Sequence, residues 1–122
     1  MRYMMLITHP ETYRMEDVPQ SLFAAMDTFI AENTRSGVLV DTNGLDRTDK
    51  SVRVRLSKKK ITVTDGPFTE AKEVVGGYAV VEARSKDHAT EIAKQFMELH
   101  RIHWPEFDGY CDVRPVQAAE PG

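Results

Sequence analysis

Apolar residues fall along this chain in two periods, and the switches between them mark out its elements. From Arg2 to Thr8 they run almost unbroken, as in a short central strand, until Pro10 denies the ladder a donor. Leu22, Met26, Phe29 and Ile30 recur at helical spacing and make one apolar stripe. Pro19 suits the first turn of that helix and Gly37 its left-handed C-terminal cap, so the pattern predicts a helix over about residues 19–35. Val38, Leu39 and Val40 follow as a second strand, closed by Asp41-Thr42-Asn43-Gly44.

The period then shortens to two. Val52, Val54 and Leu56 alternate with Arg53 and Arg55, and Ile61 and Val63 resume the alternation beyond Ser57-Lys58-Lys59-Lys60, which predicts a hairpin over residues 51–65. Tyr78 to Ala83 reads as the next strand. Ser85 reads as the cap of a second helix with Asp87 in its first turn and Ala89, Ile92, Ala93, Phe96 and Met97 as its stripe. Pro105 ends any helical extension, Gly109 turns the chain, and Tyr110 to Val116 forms a last strand.

Together these elements read as βαβ, an inserted hairpin and βαβ again, an α+β ferredoxin-like layer with both helices on one face of an antiparallel sheet. One domain is expected over residues 1–116, with a flexible tail at 117–122. The first strand is apolar on both faces, since Tyr3, Met5 and Ile7 alternate with Met4 and Leu6. The face turned away from the helices therefore calls for a partner sheet, and a homodimer supplies one.

Composition narrows the function more by exclusion than by indication. At 122 residues the chain can bury roughly two thirds of its extended surface without staples. Its 41% hydrophobic and 29% charged residues are ordinary for a soluble globular protein. A net charge of −3, with cations scattered except at Lys58-Lys59-Lys60, which reads as a hairpin turn rather than a phosphate-binding stripe, speaks against nucleic acid as a partner. The single Cys111 excludes an internal disulfide framework, no apolar run approaches a membrane span, and the N-terminus reads as a strand rather than a signal. A cytoplasmic location is expected.

Among chemistry-bearing residues Asp65 stands first, because Pro67 fixes its own torsion and holds Gly66 extended, so that the carboxylate sits on a segment of little freedom. An Asp before Gly also commonly bonds its own turn. His100 and His103, three residues apart, continue the face of Phe96 if the helix reaches them, and His9 follows the first strand. Either His103 or His9 is a candidate acid/base partner for Asp65. Two imidazoles without a third ligand at known spacing fall short of a metal site. Trp104 is a packing anchor or a pocket wall, Glu70, Lys72 and Glu73 read as a solvated loop or short helical turn, and His100, Trp104 and Glu70 are the candidate ligand-binding residues. Gly76-Gly77 opens no helix and cradles no phosphate; it suits a bulge or a close backbone approach. With no nucleophile elbow, CxxC pair, dinucleotide fingerprint or P-loop, no cofactor is implied. Binding of a small polar ligand, or acid/base chemistry without a cofactor, remains.

Asp65-Gly66-Pro67-Phe68, then Thr69-Glu70-Ala71-Lys72-Glu73 and Gly76-Gly77-Tyr78, resembles the DGPF-domain branch of the YciI-like superfamily. The opening Met1-Arg2-Tyr3-Met4-Met5-Leu6-Ile7 and closing Asp112-Val113-Arg114-Pro115-Val116 extend the likeness over nearly the whole chain. The resemblance implies a dimeric α+β barrel, no agreed reaction, and a frequent association with sigma-factor-type transcription regulators. In the wider group a His and an Asp are suggested as a catalytic pair. This chain lacks that group's histidine on the first helix, which carries Asp27, so only Asp65 is carried over.

Overall fold

The computed structural model describes residues 1–68 and 70–118. Six strands and two helices follow one another as β1 (Arg2–Pro10), α1 (Gln20–Arg35), β2 (Leu39–Gly44), β3 (Val52–Ser57), β4 (Lys60–Asp65), β5 (Glu73–Glu82), α2 (Lys86–His103) and β6 (Tyr110–Pro115). Strands β2, β5, β1 and β6 lie in that order in one antiparallel sheet, and β3 and β4 pair with each other in a second. This is the ferredoxin-like βαβ-hairpin-βαβ arrangement the pattern predicts. Thr69 and the last tail residues, 119–122, fall outside the described residues.

Local chemistry explains the boundaries. Gly37 leaves α1 with a φ of 82°, the left-handed turn that a Cβ would penalise. Ser85 caps α2 by accepting a hydrogen bond from the His88 amide at 3.1 Å. Helix α2 continues through His103, so both His100 and His103 are helical. Strand β5 begins at Glu73, five residues before the sequence suggests. The glycines interrupt the side-chain alternation but not the ladder: Ile7 pairs with Gly77 and Thr8 with Val75, which leaves Gly76 as the extra residue of a bulge.

The core lies between the sheet and the helices. Tyr3 and Met5 of β1, Leu39 of β2 and Val81 of β5 are buried against Ala89, Ile92 and Ala93 of α2, with Phe29 and Ile30 of α1 packed at the edge. The register puts Met4, Leu6, Tyr78 and Val80 together on the opposite face, beyond reach of either helix. They form a half-buried apolar centre. Arg2, Glu82, Asp41, Asn43, Asp112 and Arg114 surround it by the same register, an apolar middle with a polar rim. Among the described residues no helix is long and apolar enough to cross a membrane.

Candidate functional site at the end of the first strand

The carboxyl-terminal end of β1 gathers most of the chemistry. His9 lies half-buried there with Nδ1 2.8 Å from the Pro10 carbonyl. A carbonyl only accepts, so Nδ1 carries the proton and donates it, and neutral His9 offers a free lone pair at Nε2. That nitrogen occupies space that Gly76 leaves open: a Cβ on Gly76 would stand 2.0 Å from Nε2. The bulge therefore seats the imidazole. The ring also stacks on Tyr13, centroid to centroid at 5.5 Å.

From Tyr13 an aromatic chain runs inward. Tyr13 meets Trp104 at 5.1 Å and Phe107 at 5.8 Å, Phe107 meets His100 at 4.6 Å, and His100 meets Phe96 at 4.9 Å. The Tyr13 hydroxyl accepts a hydrogen bond from the Asp108 amide at 2.9 Å, which ties the β1–α1 loop to the α2–β6 loop. His100 is buried, its Nδ1 donating to the Phe96 carbonyl at 3.1 Å, and burial holds its pKa below the ordinary 6.5 although that bond opposes the shift. It serves as packing with a neutral ring. His103 lies half-buried one turn on.

The Asp65 loop reaches the same strand end by another route. The Thr48 hydroxyl donates to the Glu11 carboxylate at 3.1 Å and accepts from the Phe68 amide at 3.5 Å, while the Glu11 amide donates to the Lys72 carbonyl at 2.9 Å. Gly66 donates to the Ser51 carbonyl at 2.8 Å and lies so close to Thr48 that a Cβ would fall 1.6 Å from its carbonyl oxygen. The Gly66–Pro67 peptide is cis. Arg53 spreads its guanidinium 4.1 Å from the Phe68 ring centroid and pairs with Glu70, whose carboxyl is held below its usual range first by a hydrogen bond from its own backbone and then by that guanidinium.

The structure thus brings His9, Trp104 and His100 into one aromatic cluster and sets Asp65, at the end of β4, and Glu70, on the loop that follows, at its flank. Asp65 is exposed, and among the described residues no hydrogen bond or ion pair joins it to a histidine. Glu11, Tyr13, Thr48, Gly76 and Phe107 belong to this region and were not singled out by the sequence as site residues. For Glu11 and Tyr13 the signal was their place just beyond a strand ending in His9-Pro10; for Thr48 there was none. Among the described residues no three His, Cys, Asp or Glu side chains gather as a metal requires.

Two spaces bear on ligand size. The cavity between sheet and helices, bounded by Met5, Phe29, Asn33, Thr42 and Cys111, measures about 30 Å³, room for about one water. A metabolite needs several hundred Å³. Burial, with Asp112 as the lesser cause, pushes the Cys111 thiol there up to about 11, which leaves it a poor nucleophile at neutral pH. A broader groove of about 390 Å³ lies at the opposite end of β1, lined by Met1, Glu82, Arg84 and His88.

A sheet of order β2-β5-β1-β6 under two helices, with a hairpin between its halves and a Gly-Pro turn closing that hairpin, defines a ferredoxin-like α+β domain of the YciI type. The YCII-related domain family matches residues 1–97, and the chain belongs to that family. The match ends inside α2 and does not reach β6. A search of curated proteins finds none that matches the chain.

Proposed function

We propose that this chain is a cytoplasmic homodimer that binds a small polar metabolite in the cleft where the Asp65 loop meets the end of β1. His9 is its proton acceptor and Asp65 its carboxylate. One observation carries the reading: the loop after Asp65 is bonded through Thr48 and Lys72 onto Glu11, two residues beyond a histidine whose Nε2 has no hydrogen-bond partner among the described residues. The His9 lone pair and the Asp65 and Glu70 carboxylates are the groups this reading gives to a polar ligand, with Tyr13 and Trp104 as apolar neighbours of His9 and His103 and His100 behind them; Arg53, on the hairpin face opposite Asp65 and paired to Glu70, only holds the base of the hairpin. The dimer rests on the apolar face made by Met4, Leu6, Tyr78 and Val80.

An NMR titration of the four histidines in wild type and Asp65→Asn tests the pairing. The His9 or His103 titration moves to lower pH in the variant if the carboxylate stabilises the imidazolium. Four unchanged titrations would end the dyad. The second reading, a non-catalytic ligand-binding or regulatory module linked to a sigma-factor-type regulator, is favoured by the exposure of Asp65 and its lack of a described imidazole partner. Under that reading Asp65→Asn leaves ligand affinity within about twofold, which isothermal titration with a bound metabolite measures.

A further inference from the structure

The β3–β4 ribbon is amphipathic in a way its own chain does not use. Val54 pairs across to Val63 and Leu56 to Ile61, so these four share one face with Val52. Their exposures run from 55% at Val52 to 71% at Leu56. Arg53 reaches back to Phe68 and Glu70 at the base from the other face. Five aliphatic side chains, each more than half exposed and contiguous, make a patch on the order of 500 Å², a size that marks an interaction surface. A lone two-stranded ribbon is also only marginally stable in water. Something covers this one.

Charge and area indicate what does. The ribbon, residues 52–65, holds five of the chain's sixteen Lys and Arg and one of its nineteen Asp and Glu, Asp65 at its base, so the rest of the chain carries eleven cations against eighteen anions, a balance of −7. A basic arm on an acidic body is complementary to another copy of that body, with Lys58 and Lys59 at the arm's tip placed to meet it; the rim of the open sheet face is itself mixed, Glu82, Asp41 and Asp112 standing beside Arg2 and Arg114. A stable interface takes about 800 Å² from each partner. Four half-buried side chains at the centre of the open face fall short of that, and the arm makes up the difference. Nucleic acid would satisfy the lysines but would leave the five aliphatic side chains in water.

We propose that the β3–β4 ribbon is a dimerisation arm, its apolar face laid against a second copy of this chain. This rests on the homodimer reading above and says which element holds it together. Sedimentation equilibrium on wild type and on Val54→Thr/Leu56→Thr/Ile61→Thr/Val63→Thr, which has a strand-favouring β-branched residue at every altered site, tests it. The dissociation constant is expected to rise about 100-fold in the variant. A wild-type monomer at micromolar concentration would overturn both the dimer and the arm. A wild-type dimer whose variant keeps its dissociation constant within threefold would overturn the arm alone and leave the sheet-face dimer standing. Deuterium exchange on wild type needs no variant to fold: amides of residues 52–64 are expected to gain protection as concentration crosses the dissociation constant, and concentration-independent exchange would overturn the arm. Binding of the monomer to a fluorescein-labelled DNA duplex at 150 mM salt, with no change in self-association on altering the arm, would also overturn it in favour of a nucleic-acid ribbon.

Discussion

At the scale of single residues, the glycines of the signature segment separate a structural requirement from a functional one. A Cβ on Gly66 meets the Thr48 backbone carbonyl, which has nowhere to go, whereas a Cβ on Gly76 meets the His9 ring, which can swing out. Gly66→Ala is therefore expected to cost more than ~2 kcal/mol and to unseat the hairpin base. Gly76→Ala should cost less than ~1 kcal/mol yet expel the imidazole from its Pro10 bond and Tyr13 stack. Urea denaturation of the two variants, with the His9 ring signals followed by NMR, checks both halves. Equal stability losses, or an unmoved His9, would overturn the contrast. The sequence announced that Gly66-Pro67 is a rigid turn and that Gly76 suits a bulge, because both follow from local torsions. That Thr48 fills the space beside Gly66 was not legible, since the contact joins residues eighteen positions apart whose meeting depends on how the hairpin is closed.

At the scale of elements, the hairpin was the most legible part of the chain, because strict alternation of Val52, Arg53, Val54, Arg55 and Leu56 admits no helix. Its turn runs against local preference. Lys58 and Lys59 take φ of 52° and 67°, the two positive torsions a two-residue hairpin turn demands and that Asn-Gly adopts more readily. Lysines there cost backbone energy and place two cations at the tip, which suits an arm that meets an acidic surface. Lys58→Asn/Lys59→Gly should relieve that strain and stabilise the ribbon by about 1 kcal/mol. Because a ribbon of this kind opens locally, the reading belongs to amide exchange of residues 52–64 in the monomer rather than to a global melt. Exchange slower by about fivefold is expected, and exchange that is unchanged or faster would show that the turn is not strained. Strand β5 was less legible, since its first residues, Glu73 to Gly77, carry a charge, two glycines and no alternation, and only pairing with β1 makes them a strand.

At the scale of the whole molecule, the ferredoxin-like layer followed from the order of periods along the chain, while the site did not, because it forms from four separate places: the end of β1, Thr48, the residues Phe68 and Lys72, and the α2–β6 connection. The same distance from sequence holds for the role of His100. Sequence presents it as half of a histidine pair; the fold buries it between Phe96 and Phe107 and sets its neutral form into the packing that joins α2 to the site. Its pKa is held below the ordinary 6.5 by that burial, so as pH falls below about 6.5 the unfolded chain takes up a proton that the folded chain refuses. Protons bound by the unfolded state then exceed those bound by the native one, and stability falls with pH across the window between the ordinary and the lowered value, having been full above it. His100→Gln keeps a donor for the Phe96 carbonyl and removes the titration. Urea midpoints measured at pH 7.5 and 5.5 should fall further for wild type than for the variant, whatever the variant loses in absolute stability. Parallel losses in the two proteins would mean that the buried imidazole is not what couples the fold to pH.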